Sequence, residues 1–233
     1  MMKNKKIIVT GGSSGIGKET AKKLIEKGAQ VVITGRDENK LKDVAAQIGA
    51  IPLLFDISEL ASIPEKTNQA IRLLNGNIDV LINNAGIGKF PMLGEITQED
   101  LEEVYHTNVF GLALLTQEVI PYFKKQGYGD IVNIGSTASL KGFSRGSVYA
   151  ASKFALRGMT QSWQAELRKF NIRVSLVNPS EVTTAFADIT RKERKEETNK
   201  LGPKDISHTI VTGLELREKG FVPEVTIWAT NPF

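Results

Sequence analysis

Hydrophobic residues recur along this chain in seven short runs, separated by longer segments in which they lie three or four positions apart. The short runs are rich in β-branched residues, which favours strands, and the wider spacing favours helices that bury one face. The predicted strands cover residues 5–10, 29–34, 50–55, 78–83, 129–134, 172–177 and 224–229. The predicted helices cover residues 18–28, 38–49, 65–74, 104–125 and 152–170.

The alternation of apolar strands with helices predicts an α/β fold, a doubly wound parallel sheet covered by helices on both faces. Gly28, Gly49 and Gly76 follow three of the helices, where a left-handed cap is expected. We expect the 233 residues to form a single domain, because linkers and repeats are missing. Residues from about 185 to 202 are the candidate substrate loop. Their charged part, 188–200, is interpreted as a solvated helix or loop in preference to a lid.

Composition excludes several kinds of function. The chain has no cysteine and only two histidines, His106 and His208, so we expect no metal site and a structural role for His106. The formal charge is +4, but the basic residues are interspersed with acids, which argues against nucleic acid as a partner. No apolar stretch approaches the length of a membrane span, and glycines interrupt the basic start before it could act as a secretory signal. The expected location is the cytoplasm.

A glycine-rich turn follows the first predicted strand and leads directly into a helix. Gly11, Gly15 and Gly17 have the spacing G-x-x-x-G-x-G. Glycine lets the backbone approach a pyrophosphate closely, and the helix N-terminus offers N–H groups and a positive dipole end. The turn therefore predicts dinucleotide binding, whereas a Walker P-loop would need G-K-[ST] after a longer loop.

The end of the second predicted strand bears on which dinucleotide binds. Arg36 stands where a guanidinium can pair with a 2′-phosphate, and Ser14 of the glycine turn can add a hydroxyl contact. Asp37 keeps NAD as an alternative, because a shift of one residue would place an acid near the ribose. The sequence favours NADP over NAD.

Tyr149 and Lys153 lie one helical turn apart in the segment SVYAASKFAL. Residues four positions apart share a helix face, so a lysine ammonium can stabilise the tyrosinate and lower the pKa of the phenol. A tyrosine tuned in this way is a candidate general acid or base. Taken alone, the pair favours the chance alternative of a surface pair, because Tyr and Lys four positions apart occur in many helices.

Six motifs in this order resemble the short-chain dehydrogenase/reductase family over nearly the whole chain. They are TGGSSGIG at 10–17, NNAG at 83–86, HTNVFG at 106–111, NIGSTAS at 133–139, YAASK at 149–153 and NPSEVTT at 178–184. The resemblance implies a Rossmann-type sheet of seven parallel strands. It also implies a catalytic tetrad of Asn108, Ser136, Tyr149 and Lys153.

The resemblance assigns each tetrad member a role in moving a hydride between a nicotinamide and a carbonyl carbon. Ser136 would hydrogen-bond the carbonyl oxygen and Tyr149 would deliver its proton. Lys153 would lower the tyrosine pKa and hold the nicotinamide ribose, while Asn108 would carry a water chain. On the residues alone, Ser136 also fits a turn and Asn108 a buried amide that satisfies backbone groups.

The cofactor contacts implied by the glycine turn, Arg36 and the resemblance come from residues after successive strands. They are Gly11, Ser13, Ser14, Gly15, Ile16, Gly17, Arg36, Asp56, Ile57, Asn83, Ala85, Gly86, Tyr149, Lys153, Pro179, Val182 and Thr184. Asp56 could instead be a helix cap, and Asn83 and Asn84 could instead brace the sheet. Ser180 departs from the glycine that is common after this proline, which affects the expected backbone shape there.

The predicted function is an NADP(H)-dependent oxidoreductase acting on a carbonyl or secondary alcohol. One alternative is reduction of 3-oxoacyl chains on acyl carrier protein, which Arg145 and the 191–195 cluster could contact, and another is a non-catalytic NADPH sensor. Phe90, Met92, Phe143 and Phe186 indicate an apolar component of the substrate pocket, although each fits an ordinary core position equally well. The long helices at 104–125 and 152–170 match those that pair between subunits in the family, which implies a homodimer or homotetramer.

Overall fold

Seven strands pair in parallel to form one sheet within the described residues of the computed structural model, which are 2–184, 186, 197–216 and 219–232. The strands are β1 Lys6–Val9, β2 Gln30–Gly35, β3 Ile51–Leu54, β4 Val80–Asn83, β5 Gly129–Ile134, β6 Ile172–Pro179 and β7 Glu224–Ile227. Their order across the sheet is β3-β2-β1-β4-β5-β6-β7, and every neighbouring pair is parallel. The seven predicted strands and the doubly wound α/β fold are confirmed.

Of the seven described α-helices, six correspond to the five predicted ones, with changed limits and with α4 and α5 together matching one prediction, and the seventh was not predicted. They are α1 Gly15–Glu26, α2 Glu38–Ile48, α3 Ile63–Leu73, α4 Gln98–Tyr105, α5 Leu112–Gln126, α6 Ser147–Leu167 and α7 Pro203–Glu215. The predicted helix at 104–125 begins earlier, because Thr97 caps α4, and a π-helical segment at His106–Gly111 joins α4 to α5. The unpredicted helix is α7, whose first turn contains Pro203.

Alternating side chains of the central strands supply two separate cores. Ile7 and Val9 of β1 pack on one face with residues of α1 and α7, whereas Ile8 packs on the other face with residues of α3 and α5. Successive residues of a strand point to opposite faces, so a strand that is apolar throughout needs helices on both sides. This explains why the predicted strands are continuous hydrophobic runs.

The chain changes direction across the sheet between β1 and β4. From β1 it winds through β2 and β3 towards one edge, and from β4 it winds through β5 to β7 towards the other. The loops that follow β1 and β4 therefore diverge at the carboxyl ends of the strands and leave a crevice, which is where ligands bind in open α/β sheets. This crevice brings together the loops that carry the predicted motifs.

Three helix ends have the left-handed backbone that the sequence predicted. Gly28, Gly49 and Gly76 have φ values of 86°, 76° and 79°. A side chain is strained in this conformation, so glycine is suited to these positions. Among the described residues, no helix has both the length and the apolar character needed to cross a membrane.

Candidate active site

The glycine turn after β1 has the geometry of a phosphate cradle. Gly11 and Gly15 have φ values of 63° and 51°, and α1 begins at Gly15 directly after Ser14. A Cβ atom at Gly17 would lie 2.4 Å from the carbonyl oxygen of Gly11. All three glycines are therefore required by the backbone itself, and the N-terminus of α1 faces the crevice with N–H groups that suit a pyrophosphate. These residues fit a dinucleotide.

Hydrogen bonds tie this turn to the NNAG loop after β4. The Oγ1 atom of Thr10 accepts from the backbone N–H groups of Asn84 and Ala85, at 2.9 and 3.0 Å. The side chain of Asn84 donates in return to the carbonyl oxygens of Thr10 and Gly11, at 2.9 and 3.1 Å. Asn84 therefore braces the cradle, as the structural alternative proposed. Thr10 was not predicted, although it directly precedes the glycine turn.

Asn83 lies inside the molecule and does not reach the crevice. Its side chain is 1% exposed, and Nδ2 donates to the Oγ1 atom of Thr116 and the Oδ1 atom of Asn133, both at 2.9 Å. A cofactor contact through this side chain is therefore wrong. The amide instead joins β4 to β5 and α5, because a buried amide needs internal partners.

Arg36 and Asp37, the two residues after β2 that could recognise the dinucleotide, differ in their contacts. Asp37 is the N-cap of α2, and its Oδ1 atom accepts from the backbone N–H of Lys40 at 3.0 Å. Arg36 is exposed at the end of the strand. A Cβ atom at Gly35 would lie 3.1 Å from the Oγ atom of Ser13, so the glycine turn and the end of β2 are in contact. Asp37 is thus engaged in capping, whereas Arg36 lies beside the turn.

Asp56 holds the turn that follows β3. Its Oδ1 atom accepts from the backbone N–H and the hydroxyl of Ser58, at 2.9 and 2.7 Å. Asp56 therefore stabilises a turn and is not a helix cap, since Glu59 is the N-cap of the 3-10 helix that follows. The neighbouring Ile57 is buried, so its side chain belongs to the core.

The segment after β6 reaches back to the glycine turn. β6 ends at Pro179, Val182 bridges to Leu201, and a Cβ atom at Gly15 would lie 3.2 Å from the Cγ2 atom of Thr184. Thr184 therefore lies against the cradle, as a cofactor contact requires. The predicted cluster at 191–195, and all but residues 197–200 of the charged segment 188–200, lie outside the described residues.

The four tetrad residues come from three parts of the chain, two of which meet at Gly86. Asn108 lies in the π-helical segment, Ser136 follows β5, and Tyr149 and Lys153 lie on α6. A Cβ atom at Gly86 would lie 3.3 Å from the Oδ1 atom of Asn108 and 3.7 Å from the Nζ atom of Lys153. Ser136 hydrogen-bonds the side chain of Tyr149. The structure therefore brings the four residues together.

Both the oxygen and the nitrogen of the Asn108 side-chain amide form hydrogen bonds. Oδ1 accepts from the backbone N–H of Ile87 at 2.9 Å, and Nδ2 donates to the carbonyl oxygen of Ile87 at 2.8 Å and to the Oγ atom of Ser152 at 3.0 Å. Ser152 in turn donates to the carbonyl oxygen of Tyr149 at 2.7 Å. Asn108 is thus a satisfied buried amide that connects the β4 loop to α6. Ser152 was not predicted, although it lies within the YAASK motif.

Burial dominates the electrostatics of Tyr149 and Lys153. Desolvation raises the pKa of Tyr149 to about 12, although the hydrogen bond with Ser136 lowers it. Desolvation also lowers the pKa of Lys153 to about 8. The Nζ atom of Lys153 donates to the carbonyl oxygen of Ile134 at 2.9 Å and lies 5.8 Å from the centroid of the phenol ring.

The predicted lowering of the Tyr149 pKa by Lys153 is therefore wrong for these side chains. The spacing on the helix is as expected, but the ammonium is directed to a backbone carbonyl, and removal of the phenol from water outweighs the other effects. Consequently the phenol keeps its proton throughout the neutral range. It is suited to donate a proton rather than to exist as a phenolate.

Aromatic rings surround Tyr149. The centroids of Phe90 and Phe186 lie 5.4 and 5.5 Å from that of Tyr149, and Phe143 lies 6.1 Å from Phe90. These contacts place three of the four predicted apolar residues around Tyr149, and their part in a substrate pocket stays a prediction. Met92 is 46% exposed on the same loop as Phe90.

Neither histidine lies in this site. The Nδ1 atom of His106 is 2.8 Å from the carbonyl oxygen of Glu102, and its ring contacts Phe110 edge-on. These contacts agree with a structural role. Over the described part of the chain, no group of three or more possible ligands could hold a metal ion.

The doubly wound sheet and the glycine cradle at its switch point define a nucleotide-binding protein of the Rossmann type. The family model described as short chain dehydrogenase matches residues 5–195. The chain therefore belongs to the short-chain dehydrogenase/reductase family, which makes it an oxidoreductase by family. This confirms the resemblance carried by the six motifs.

Three relatives illustrate the range of similar proteins. The NADP-dependent 3-hydroxy acid dehydrogenase of Schizosaccharomyces pombe is 30% identical over 97% of this chain and 93% of its own length. A metagenomic short-chain oxidoreductase solved with NADP is 29% identical, with a TM-score of 0.84 over 97% of this chain and 98% of its own. The 3-ketoacyl-(acyl-carrier-protein) reductase of Brucella melitensis, solved with NADH, is 27% identical, with a TM-score of 0.88 and full coverage of both chains.

Proposed function

We propose that this protein is an NADP(H)-dependent oxidoreductase that interconverts a carbonyl and a secondary alcohol, with Tyr149 as the general acid and base. One observation carries the proposal. The phenol of Tyr149 is buried, keeps its proton and is hydrogen-bonded by Ser136, at the crevice that the glycine cradle opens onto.

The bound nicotinamide would supply the hydride to the carbonyl carbon during reduction, or accept it during oxidation. As negative charge develops on the carbonyl oxygen, Tyr149 donates its hydroxyl proton and Ser136 donates a hydrogen bond to the same oxygen. The alcohol is the product, and the phenolate left on Tyr149 must then regain a proton. A phenol with a raised pKa surrenders its proton only to a strongly basic oxygen, which matches an alkoxide in formation.

Lys153 is the nearest proton source for the phenolate on α6. Its pKa of about 8 leaves the ammonium charged at neutral pH, on the helix face that carries Tyr149. We propose that it returns a proton to the phenolate after the transfer and holds the nicotinamide ribose. The amide of Asn108 is occupied by Ile87 and Ser152, which supports a bracing role over a water chain carried by that side chain.

The preference for NADP rests on the end of β2. Asp37 caps α2, whereas Arg36 is exposed beside Ser13 and the glycine turn, where its guanidinium can pair with a 2′-phosphate. Two of the three relatives above are named with NADP and the third with NADH, so they are compatible with either dinucleotide. We propose NADP, with NAD as the weaker alternative.

Kinetics with the two dinucleotides test this preference. We expect a lower KM for NADPH than for NADH, and we expect Arg36→Ala to raise the NADPH value at least tenfold while leaving the NADH value within about twofold. Lys40→Ala, on the neighbouring first turn of α2, is the matched control for loss of a positive charge. An unchanged KM for NADPH in Arg36→Ala would overturn the assignment.

The activity itself is tested by NADPH oxidation over a panel of ketones, aldehydes, diketones, sugars, steroids and acyl thioesters. Tyr149→Phe serves as the blank, because it removes only the hydroxyl. A protein that binds NADPH and yet reduces no member of the panel would favour the sensor alternative. The complete tetrad supports the enzyme, since a binding protein of this fold does not need a catalytic tyrosine.

Reduction of 3-oxoacyl chains on acyl carrier protein is the second candidate function. It is supported by the similarity to the Brucella melitensis reductase. Arg145, a proposed contact for the acidic carrier, donates from Nε to the carbonyl oxygen of Phe90 at 2.9 Å, which argues for a local role. We therefore keep it as the alternative, to be judged by the acyl thioester in the panel.

We further propose a homodimer or homotetramer in the cytoplasm. Leu114 on α5 and Phe154 on α6 are 37% and 44% exposed, as a helix face that pairs between subunits requires. The absence of cysteine suits a reducing compartment. Size-exclusion chromatography at the monomer mass of 25.5 kDa would reject the oligomer.

A further inference from the structure

The backbone N–H of Ser136 is held by two side-chain oxygens. It donates to the Oγ atom of Ser139 at 3.2 Å and to the Oδ1 atom of Asn178 at 3.3 Å. Ser139 belongs to the turn that Ser136 itself begins, whereas Asn178 lies on β6, 42 residues further along the chain. The contact with Asn178 therefore fixes the residue that carries the proposed hydroxyl donor against the neighbouring strand.

Gly135 makes room for the amide of Asn178. A Cβ atom at Gly135 would overlap the Oδ1 atom of Asn178 and would lie 3.0 Å from the Oγ atom of Ser139. Asn178 is fully buried, so its amide must find hydrogen-bond partners inside the protein. It reaches Ser136 only because the position before this serine lacks a side chain.

Glu224, the first residue of β7, determines which end of this amide faces Ser136. Its Oε1 atom accepts from the Nδ2 atom of Asn178 at 3.0 Å. A carboxylate can only accept hydrogen bonds, so the amide nitrogen must face Glu224 and the amide oxygen must face the N–H of Ser136. In the flipped orientation, both contacts would oppose like groups, N–H against N–H and oxygen against oxygen.

Arg157 on α6 fixes the carboxylate in turn. Its Nε atom lies 3.1 Å from both the Oε1 and the Oε2 atoms of Glu224. One turn earlier on α6, the Nζ atom of Lys153 donates to the carbonyl oxygen of Ile134. The helix is thus connected to the segment 134–136 at both ends, directly through Lys153 and indirectly through Arg157.

We propose that Asn178 is a positioning residue for the reaction, and that Glu224 and Arg157 set the orientation of its amide. This inference rests on the proposed function, in which Ser136 donates a hydrogen bond to the carbonyl oxygen as negative charge develops. Asn178 acts through Ser136 and keeps its hydroxyl where that charge forms. Its contribution therefore belongs to the transition state, and its loss should lower kcat more than it raises KM.

A purely structural role for Asn178 predicts a different result. A hydrogen bond that only supports β6 would lower stability when it is lost, without affecting turnover. Ser175→Ala provides this comparison, because the Oγ atom of Ser175 on the same strand donates to the carbonyl oxygen of Val222 at 2.8 Å. The variant removes one side-chain hydrogen bond from β6 and leaves the contact with Ser136 in place.

The test measures kcat, KM and the Kd for NADPH with the compound of the panel above that wild type reduces fastest. Loss of an oxyanion donor costs about 100-fold or more in kcat, so its misplacement in Asn178→Ala should cost about tenfold. Glutamine can donate as well as accept, so Glu224→Gln allows the amide to flip and should cost about fivefold. Both variants should leave KM and the NADPH Kd within about twofold of wild type, and Ser175→Ala should leave all three values unchanged.

A double-mutant cycle with Ser136→Ala separates positioning from other effects. Asn178→Ala should lower kcat by less than about twofold in the Ser136→Ala background, because the group that it positions is then missing. An equal loss in both backgrounds would overturn the inference, and so would a kcat of Asn178→Ala within about twofold of wild type. Circular dichroism checks the fold of every variant, and Glu224→Gln takes the place of Asn178→Ala in the cycle if the latter does not fold.

Hydrogen exchange of the Ser136 amide, measured by NMR on cofactor-free protein, tests the contact without a substrate. Removing one of its two acceptors in Asn178→Ala should speed this exchange by about fivefold, and Ser175→Ala should leave it unchanged. If wild type reduces no compound of the panel, the proposed function fails, and the exchange rate alone decides whether Asn178 holds Ser136. An unchanged rate in Asn178→Ala would refute the inference, whatever the activity.

Discussion

Replacing Lys153 by methionine is expected to make the protein more stable at neutral pH while abolishing its activity. Lys153 is 5% exposed, and desolvation lowers its pKa from the ordinary value of 10.5 to about 8. That difference corresponds to about 3 kcal/mol that folding loses by burying the ammonium. Methionine has a similar length and carries no charge, so it removes this cost.

The substitution also removes one hydrogen bond. The Nζ atom of Lys153 donates to the carbonyl oxygen of Ile134 at 2.9 Å, and leaving that oxygen without a donor costs about 1 kcal/mol. The net expectation is a gain of about 2 kcal/mol in the free energy of unfolding at pH 7. For a chain of this size it would raise the Tm by roughly 5 °C.

The sign of the pH dependence follows from which state binds more protons. Below pH 8 both states hold the lysine proton, and the cost of the buried charge is fully present. Between pH 8 and 10.5 the unfolded chain binds more protons, so wild-type stability gains on that of the variant as the pH rises. At pH 9.5 about 1 kcal/mol of the cost of burying the charge remains in wild type. The variant loses about the same amount through the missing hydrogen bond, so the two effects cancel. The advantage of Lys153→Met should therefore fall from about 2 kcal/mol at pH 7 to near zero at pH 9.5.

Urea unfolding followed by far-UV circular dichroism, on cofactor-free protein at one fixed concentration, measures this difference at both pH values. The matched control is Lys22→Met on the exposed side of α1, where no such pH dependence is expected. The reasoning is refuted if Lys153→Met is less stable than wild type at pH 7. It is also refuted if the difference between them is the same at pH 7 and pH 9.5.

Three further predictions concern the site. The kcat/KM for reduction should fall above pH 8 with a single ionisation, because Lys153 loses its charge there while Tyr149 keeps its proton to about pH 12. A kcat/KM that is constant between pH 7 and 10 would contradict this. Ser152→Ala removes a hydrogen bond to Asn108, so kcat should fall by about tenfold and the free energy of unfolding by about 1–2 kcal/mol; Ser162→Ala on the exposed face of the same helix is the control. Gly17→Ala should abolish NADPH binding in isothermal titration calorimetry, since a Cβ there would lie 2.4 Å from backbone; undiminished affinity would show that the cradle is not the binding site.

The strands could be predicted because each contains a short apolar run rich in β-branched residues, and the sheet buries both faces of its central strands. The helix α7 could also have been predicted, since Ile206, Ile210 and Leu214 have helical spacing after Gly202 and Pro203. The start of α6 at Ser147 lies five residues before the predicted one at 152. Local residues around Gly146 give no helical pattern, so tertiary packing sets this boundary.

The members of the site could be predicted, but not the states of its side chains. Spacing alone put Tyr149 and Lys153 on one helix face, and the structure agrees. The direction of the tyrosine pKa depends on desolvation and on where the Nζ atom of Lys153 points, and neither is visible in the sequence. Similarly, the occupied amide of Asn108 depends on Ile87, which lies 21 residues away in the chain.

Burial raises the pKa of Tyr149 and lowers that of Lys153, and this difference separates the roles of the two residues. Phe90 and Phe186 exclude water from Tyr149 and so keep its proton in place, whereas burial brings the pKa of Lys153 down to about 8. Over the range from pH 7 to 10, only the lysine therefore changes its charge. Under the proposed mechanism, a titration seen in the activity would report Lys153, and the phenol would be a proton donor of constant state. The apolar enclosure of Tyr149 is thus what fixes the protonation of the proposed proton donor.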